Sequence, residues 1–316
     1  MGVDARRVLV VAAAVIVPLA ITAGGTSMPP PKAPPAVRPH AQTSPAPPVD
    51  PEPSPSRTPA DPCAAARHRI SERIESELAG EHLSVAVHER LTGEDYDYDG
   101  DDVYETASVA KVAILVTLLT EAQREDRPLT AGEQDLAQRA IEYSDNKAAD
   151  ALWSIVGGAG PVAHTLHKLH LHDTEALDAL GWGLTRTTAR DQVRLLSALT
   201  GDVGDLSEDR RAYALDLMSH VAPEQAWGVS AAARTSDDEV ELKNGWLPRS
   251  TDGKLWIVNS IGRVRTGGRD FLIAVMSDHH VSSAAGIEVV QHAVRIATRA
   301  MDACLPLPTP PRKPAP

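Results

Sequence analysis

SVAKVAILVTLLTE, from Ser108 to Glu121, is apolar almost all the way round when wound as a helix. A helix without a polar face belongs inside a domain, covered on every side. Pro128 marks where it must have stopped, because proline cannot continue the backbone ladder. Upstream, Leu83 to His88 (LSVAVH) and Asp95 to Asp99 (DYDYD) alternate on either side of Thr92-Gly93 and predict a hairpin of two strands. Earlier still, Cys63 to Leu78 places Ile70, Ile74 and Leu78 at helical spacing. Downstream, the periodicity predicts helices over Ala131–Tyr143, Lys147–Val156, Pro161–Leu169 and Thr188–Leu199. Strands over Glu239–Leu242, Lys254–Ser260 and Asp270–Ser277 follow, then a last amphipathic helix over Gly286–Met301. This order predicts an α+β fold in three layers: an antiparallel sheet flanked by helices and split in sequence by an inserted all-helical lobe.

Proline sets the borders of this pattern. Of 25 prolines, fourteen fall between Pro29 and Pro62 and six between Pro306 and Pro316. Apart from Pro18, only Pro128, Pro161, Pro223 and Pro248 remain. Such dense proline removes backbone donors and favours extended chain, so residues 26–62 read as a Pro-rich linker, 63–304 as one domain, and 305–316 as a Pro-rich tail. Residues 1–25 read as an address. Arg6 and Arg7 precede an apolar run from Val8 to Thr22, shorter than the roughly 20 residues that span a bilayer. That length suits a signal peptide cut after Ala23, with an uncleaved membrane anchor through residues 8–22 as the alternative. Either way the domain is exported, secreted or held on the outer face of the cell membrane. Cys63 and Cys304 sit at opposite edges of the domain and are expected to form one disulfide, which requires the first and last helices to lie side by side. The domain carries 24 Lys and Arg against 39 Asp and Glu with no basic stripe, which excludes nucleic acid as a partner. A monomer is expected.

Chemistry concentrates at three places. Ser108 and Lys111 are spaced i, i+3, which puts a hydroxyl and an amine on one face of a helix. A serine is a weak nucleophile until an adjacent base takes its proton, and a lysine serves only if its pKa is lowered by burial or a neighbouring cation. A second S-x-x-K runs from Ser144 to Lys147, but between amphipathic helices rather than from a strand into a buried one. It overlaps Ser144-Asp145-Asn146, preceded by Tyr143; further on, Lys243-Asn244-Gly245-Trp246 ends a strand pattern.

S-x-x-K, then S-D-N, then K-x-G on a strand, in that order, resembles the penicillin-recognising serine hydrolases, and class A β-lactamases most of all. The stretch LTAGEQDLAQRAIEYSDNKAADAL, Leu129 to Leu152, is similar to that family's helix–S-D-N–helix region, and TGEDYDYDGDDVYETASVAK to its second strand running into the nucleophile. The resemblance covers about the whole of 63–304. It implies Ser108 as the acylated nucleophile, Lys111 as general base, and Ser144 as proton relay to the leaving nitrogen. It implies that Lys243 holds the substrate carboxylate and tunes Ser144, and that Asn146, Asn244, Gly245 and Trp246 line the substrate, with the backbone N–H groups of Ser108 and Trp246 as the oxyanion hole. The implied partner is a small β-lactam or peptidoglycan-derived molecule; no cofactor or metal is implied.

The departures bear on function. Asn244 replaces the Thr or Ser of the family's K-T-G or K-S-G. The gap from Ser108 to Ser144 is shorter than in class A enzymes, and the segment Asp178 to Thr188 lacks the loop glutamate that activates their deacylating water. Glu175 and Asp173 lie upstream, Glu175 being the one candidate for that base. Arg249, Arg263 and Arg265 are candidates for a carboxylate-binding arginine, and none fits the pattern well. These features predict acylation by β-lactams with slow hydrolysis; the alternatives are a D-alanyl peptidase or other cell-wall amidase, and a non-catalytic wall-binding relic. Two rival signals fail. Asp95-x-Asp97-x-Asp99-Gly100 begins like a calcium loop but has Thr106 at position twelve. His164, His167, His170 and His172 follow a spacing that drifts round a helix, unlike the i, i+4 pair of a zinc site.

Overall fold

The computed structural model describes residue 61 and residues 63–304 apart from 180 and 252, the side chains of 303 and 304 excepted. The address, linker and tail expected from sequence, and the side chain of Cys304, lie outside the described residues. In chain order the elements are helix α1 (Ala64–Glu77), strands β1 (His82–Glu89), β2 (Glu94–Tyr98) and β3 (Val103–Glu105), and helices α2 (Ala110–Arg124), α3 (Ala131–Glu142), α4 (Asn146–Ile155) and α5 (Ala159–Lys168). Strand β4 (Arg186–Thr188), helices α6 (Ala189–Thr200) and α7 (Glu208–Ser219), strands β5 (Glu239–Pro248), β6 (Trp256–Thr266) and β7 (Arg269–Asp278), and helix α8 (Ser283–Cys304) complete it.

Alternation builds the layers. The five-stranded antiparallel sheet runs β2-β1-β7-β6-β5. Successive residues of a strand face opposite sides, and here both sides are apolar. Ala86, Leu272, Ala274 and Met276 pack into one core with α2 and the helical lobe. Val85, Val87, Phe271, Ile273 and Val275 pack into a second core with Ile70 and Ile74 of α1 and Val290, Val294 and Ala297 of α8. The fold is therefore α+β, with the sheet between two helical layers. Helices α1 and α8 lie together, as a Cys63–Cys304 bridge requires, and His292 bonds Glu77 across them at 2.8 Å.

Helix α2 buries eleven of its fifteen residues, Lys111 among them. Around it the lobe is capped by local chemistry. Thr130 and Glu133 form a reciprocal capping box at the start of α3. Thr188 accepts from Asp191 N at the start of α6. Three elements were not expected from the pattern: α7, β3 and β4. Helix α7 buries only Ala214, Leu217 and Met218 and has no continuous stripe, so periodicity had little to detect. Strands β3 and β4 are three residues each and pair with one another apart from the five-stranded sheet, below the length at which alternation can be read.

Candidate active site

The chain enters the site through β3 and turns sharply. Ser108 lies in a 3-10 turn, Ala107–Val109, ahead of α2 rather than in its first α-turn as the pattern suggested. Ala107 has φ 47, a left-handed conformation costly for a residue with a Cβ and commonest where a site imposes it. The i, i+3 spacing survives the change of helix type, and Lys111 Nζ stands 2.7 Å from Ser108 Oγ. Strand β5 presses against this turn from the other side. A Cβ on Gly245 would stand 2.7 Å from Ser108 N and from Thr106 O, so only glycine fits there. Because β5 is an edge strand, the sheet leaves its outer backbone groups unused beside Ser108 N, where the sequence resemblance placed an oxyanion hole.

The second wall comes from the α3–α4 junction. Ser144 also has a left-handed backbone, φ 57. Asp145 fixes it by accepting from Lys147 N and Ala148 N at the start of α4 and pairing with Arg139, which holds the Asp145 carboxyl below its usual range. Between these walls Lys111 Nζ has four oxygen neighbours: Ser108 Oγ, Ser144 O at 3.0 Å, Ser144 Oγ at 3.1 Å and Asn146 Oδ1 at 2.8 Å. Two of them, the Ser144 carbonyl and the Asn146 amide oxygen, can only accept. A neutral amine has two hydrogens for those two and one lone pair left for the Ser108 hydroxyl.

Electrostatics favours that neutral form. Lys111 is 1% exposed, and burial drives its pKa from 10.5 down to about 7, against the opposing charges of Asp145 and Asp150. Lys243 is completely buried; its Nζ reaches Ser144 Oγ at 3.0 Å and the Asn244 carbonyl at 2.9 Å. Burial first, and the charge of Lys111 second, lower the Lys243 pKa well below the ordinary lysine value. The result is a continuous chain from Ser108 Oγ through Lys111 Nζ and Ser144 Oγ to Lys243 Nζ. Lys243 and Gly245 lie in mid-strand, since β5 runs on to Pro248 instead of ending at Leu242.

Some expected residues take other places. Asn244 is fully buried, and its amide donates to the Gln225 and Trp227 carbonyls at 2.7 and 3.0 Å. The expected contact of Asn244 with substrate is therefore corrected: its donors are spent clamping the 225–227 segment to β5. Trp246 is partly exposed, its ring edge-on to Trp227 with centroids 5.7 Å apart. Glu175 has an exposed side chain, and its backbone exchanges bonds with Arg186 at 2.8 and 3.0 Å. Among the described residues, no carboxylate is hydrogen-bonded to Ser108 or Lys111. Arg249 pairs with Glu105, Arg263 with Asp270, and Arg265 with Glu239 and Glu241. Asp95 and Asp97 pair with His88 and Arg190 across neighbouring elements. Rings of His167 and His170 rest edge-on to His172. One group among the described residues has donor atoms close enough to hold a metal, within 4.8 Å of each other: His82, Asp278 and His279. It shares no residue with the Ser108 cluster, and both histidines already bond Asp278.

Sequence reasoning gave Trp182 no role. Its ring lies 4.5 Å from Lys111 Nζ, in the segment where the loop glutamate is missing. The available signal was a tryptophan between two glycines, in Gly181-Trp182-Gly183.

Over residues 128–301, more than half its length, the chain matches the model of the beta-lactamase enzyme family. The chain belongs to that family. Ser144, Asn146 and Lys243 fall inside the matched stretch, whereas Ser108 and Lys111 precede it. A curated relative from Mycobacterium tuberculosis, named "Putative lipoprotein LppW", is 26% identical over 225 residues, covering 70% of this chain and 71% of the relative. Among solved structures, a class A beta-lactamase from Bacteroides cellulosilyticus aligns with TM-score 0.64 at 19% identity, over 75% of this chain and 99% of that one. PBP-A aligns with TM-score 0.64 at 19% identity, over 76% and 97%. These likenesses establish a beta-lactamase-like fold.

Proposed function

We propose that this member of the beta-lactamase family is an exported serine hydrolase that β-lactams acylate at Ser108 and that releases the acyl group slowly. The observation that carries the reading is the 2.7 Å contact between Ser108 Oγ and a buried lysine whose pKa has fallen to about 7. In acylation, Ser108 Oγ bonds to the amide carbonyl carbon and its proton passes to Lys111. The carbon–nitrogen bond then breaks, and Ser144 hands the leaving nitrogen a proton taken from Lys111. Lys243, against Ser144 Oγ, keeps that hydroxyl polarised. Asn146 orients Lys111 through its amide oxygen, and the N–H groups of Ser108 and Trp246 receive the oxyanion.

Slow release follows from the absence of a carboxylate bonded to Ser108 or Lys111 among the described residues, with Glu175 turned to solvent. Export rests on the apolar run after Arg6-Arg7 and agrees with the name of the mycobacterial relatives. Labelling with a fluorescent penicillin tests the reading. Wild-type protein takes up the label covalently and Ser108→Ala does not; equal labelling of both would rule Ser108 out. A D-alanyl peptidase would use the same Ser108 and Lys111, and release of D-alanine from a peptide at a rate above penicillin turnover would favour it.

A further inference from the structure

We propose that Trp182 is a positioning residue that closes the free side of Lys111 to water and thereby sets the lifetime of an acyl group on Ser108; this rests on the acylation of Ser108 proposed above. Trp182 opens a 3-10 turn, Trp182–Leu184, entered through Gly181 at φ 79. The turn is tied to the strand that leads to the nucleophile: Thr106 N donates to the Thr185 carbonyl at 2.8 Å. The indole is tied at its other end, where Nε1 donates to Asp150 Oδ1 on α4 at 2.8 Å. Held at both ends, the half-buried ring stands over Lys111 with 4.5 Å from Nζ to its centroid.

The spacing decides what fits. A water bonded to Nζ at about 2.9 Å and touching the ring face at about 3.5 Å needs roughly 6 Å between amine and ring. The 4.5 Å gap admits none. Four oxygens occupy the remaining sides of Nζ. Hydrolysis of an acyl-serine requires water oxygen to bond to the ester carbon, water's proton to pass to a base, and the carbon–Oγ bond to break as Ser108 Oγ regains a proton. With no carboxylate among the described residues bonded to Ser108 or Lys111, Lys111 is the base at hand. After acylation the amine no longer meets a hydroxyl hydrogen and can turn its lone pair to the free side, where the ring bars water from reaching it. The ring thus permits acylation, in which Ser108 itself is the proton donor, and obstructs deacylation, in which water is.

The test follows the adduct by intact mass after a penicillin pulse, in wild type, Trp182→Ala and Trp182→Phe. Trp182→Ala shortens the adduct half-life by on the order of tenfold or more, the scale of admitting a general base to its water. Trp182→Phe keeps a ring over Lys111 and keeps a long-lived adduct, which a loss of the indole–Asp150 bond alone would not do. Equal lifetimes in wild type and Trp182→Ala, or a Trp182→Phe lifetime as short as that of Trp182→Ala, overturn the proposal. A second readout needs no substrate: the Trp182 indole N–H resonance shifts with pH around 7 in wild type and is flat in Lys111→Met. A flat wild-type resonance refutes the contact. Absence of any adduct in wild type instead refutes the acylation reading and leaves the contact to be judged on the resonance.

Discussion

Protonation of Lys111 should govern acylation. Its pKa is lowered to about 7, chiefly by burial, so about half the molecules hold a neutral amine at pH 7, about a tenth at pH 6 and about nine-tenths at pH 8. Only the neutral amine can take the Ser108 proton. The acylation rate therefore rises about tenfold per pH unit below pH 6, reaches half its maximum near pH 7 and levels off above pH 8. Rapid-quench intact mass under single-turnover conditions measures that rate directly. Asp150 contributes a negative charge that raises the Lys111 pKa, so Asp150→Asn moves the midpoint to lower pH while keeping an acceptor for the Trp182 indole. A rate flat from pH 5.5 to 9, or a midpoint near the ordinary lysine value, would refute the assignment of Lys111 as base.

The same lysine should cost stability. Its folded-state pKa lies below the unfolded 10.5, so the unfolded chain binds the extra proton and stability falls as pH drops from about 10.5 to about 7. The full shift corresponds to roughly 5 kcal/mol at pH 7 as an upper bound; Lys111→Met should melt several degrees higher there, with the gain shrinking towards pH 10, and a lower melting temperature would contradict the burial argument. Gly245→Ala places a Cβ 2.7 Å from Ser108 N and Thr106 O. Overpacking against backbone of this kind costs typically about 1–3 kcal/mol, and penicillin labelling should fall at least tenfold, on the scale of losing one oxyanion donor; unchanged labelling would remove β5 from the site. Cys63 and Cys304 should be joined, read as a 2 Da mass gain on reduction by the general stoichiometry of a disulfide; no gain means two thiols.

Legibility in the sequence followed physical strength. The nearly all-apolar α2 announced itself, because Lys111 is the one charge in its first ten residues. The hairpin and the helices with sustained stripes were equally plain, and the order of Ser108, Ser144 and Lys243 was enough to bring three distant segments to one cluster. Short pieces were not legible: β3 and β4 owe their existence to each other, and α7 owes its to packing against neighbours. Asn244 shows a further limit. Its position in K-x-G suggested a substrate contact, whereas tertiary packing turned its amide onto the Gln225 and Trp227 carbonyls. Trp182 was unreadable for the same reason, since nothing local tells a loop tryptophan that its ring will settle on a buried amine.

The central claim is that Ser108 is acylated readily and released slowly. Intact-mass spectrometry over time, with penicillin in excess and with Ser108→Ala in parallel, tests it most directly. The account predicts an adduct of the whole penicillin that persists while most of the antibiotic stays intact, and no adduct on Ser108→Ala. A transient adduct with the antibiotic consumed would contradict slow release, and an adduct that survives Ser108→Ala would contradict the nucleophile itself.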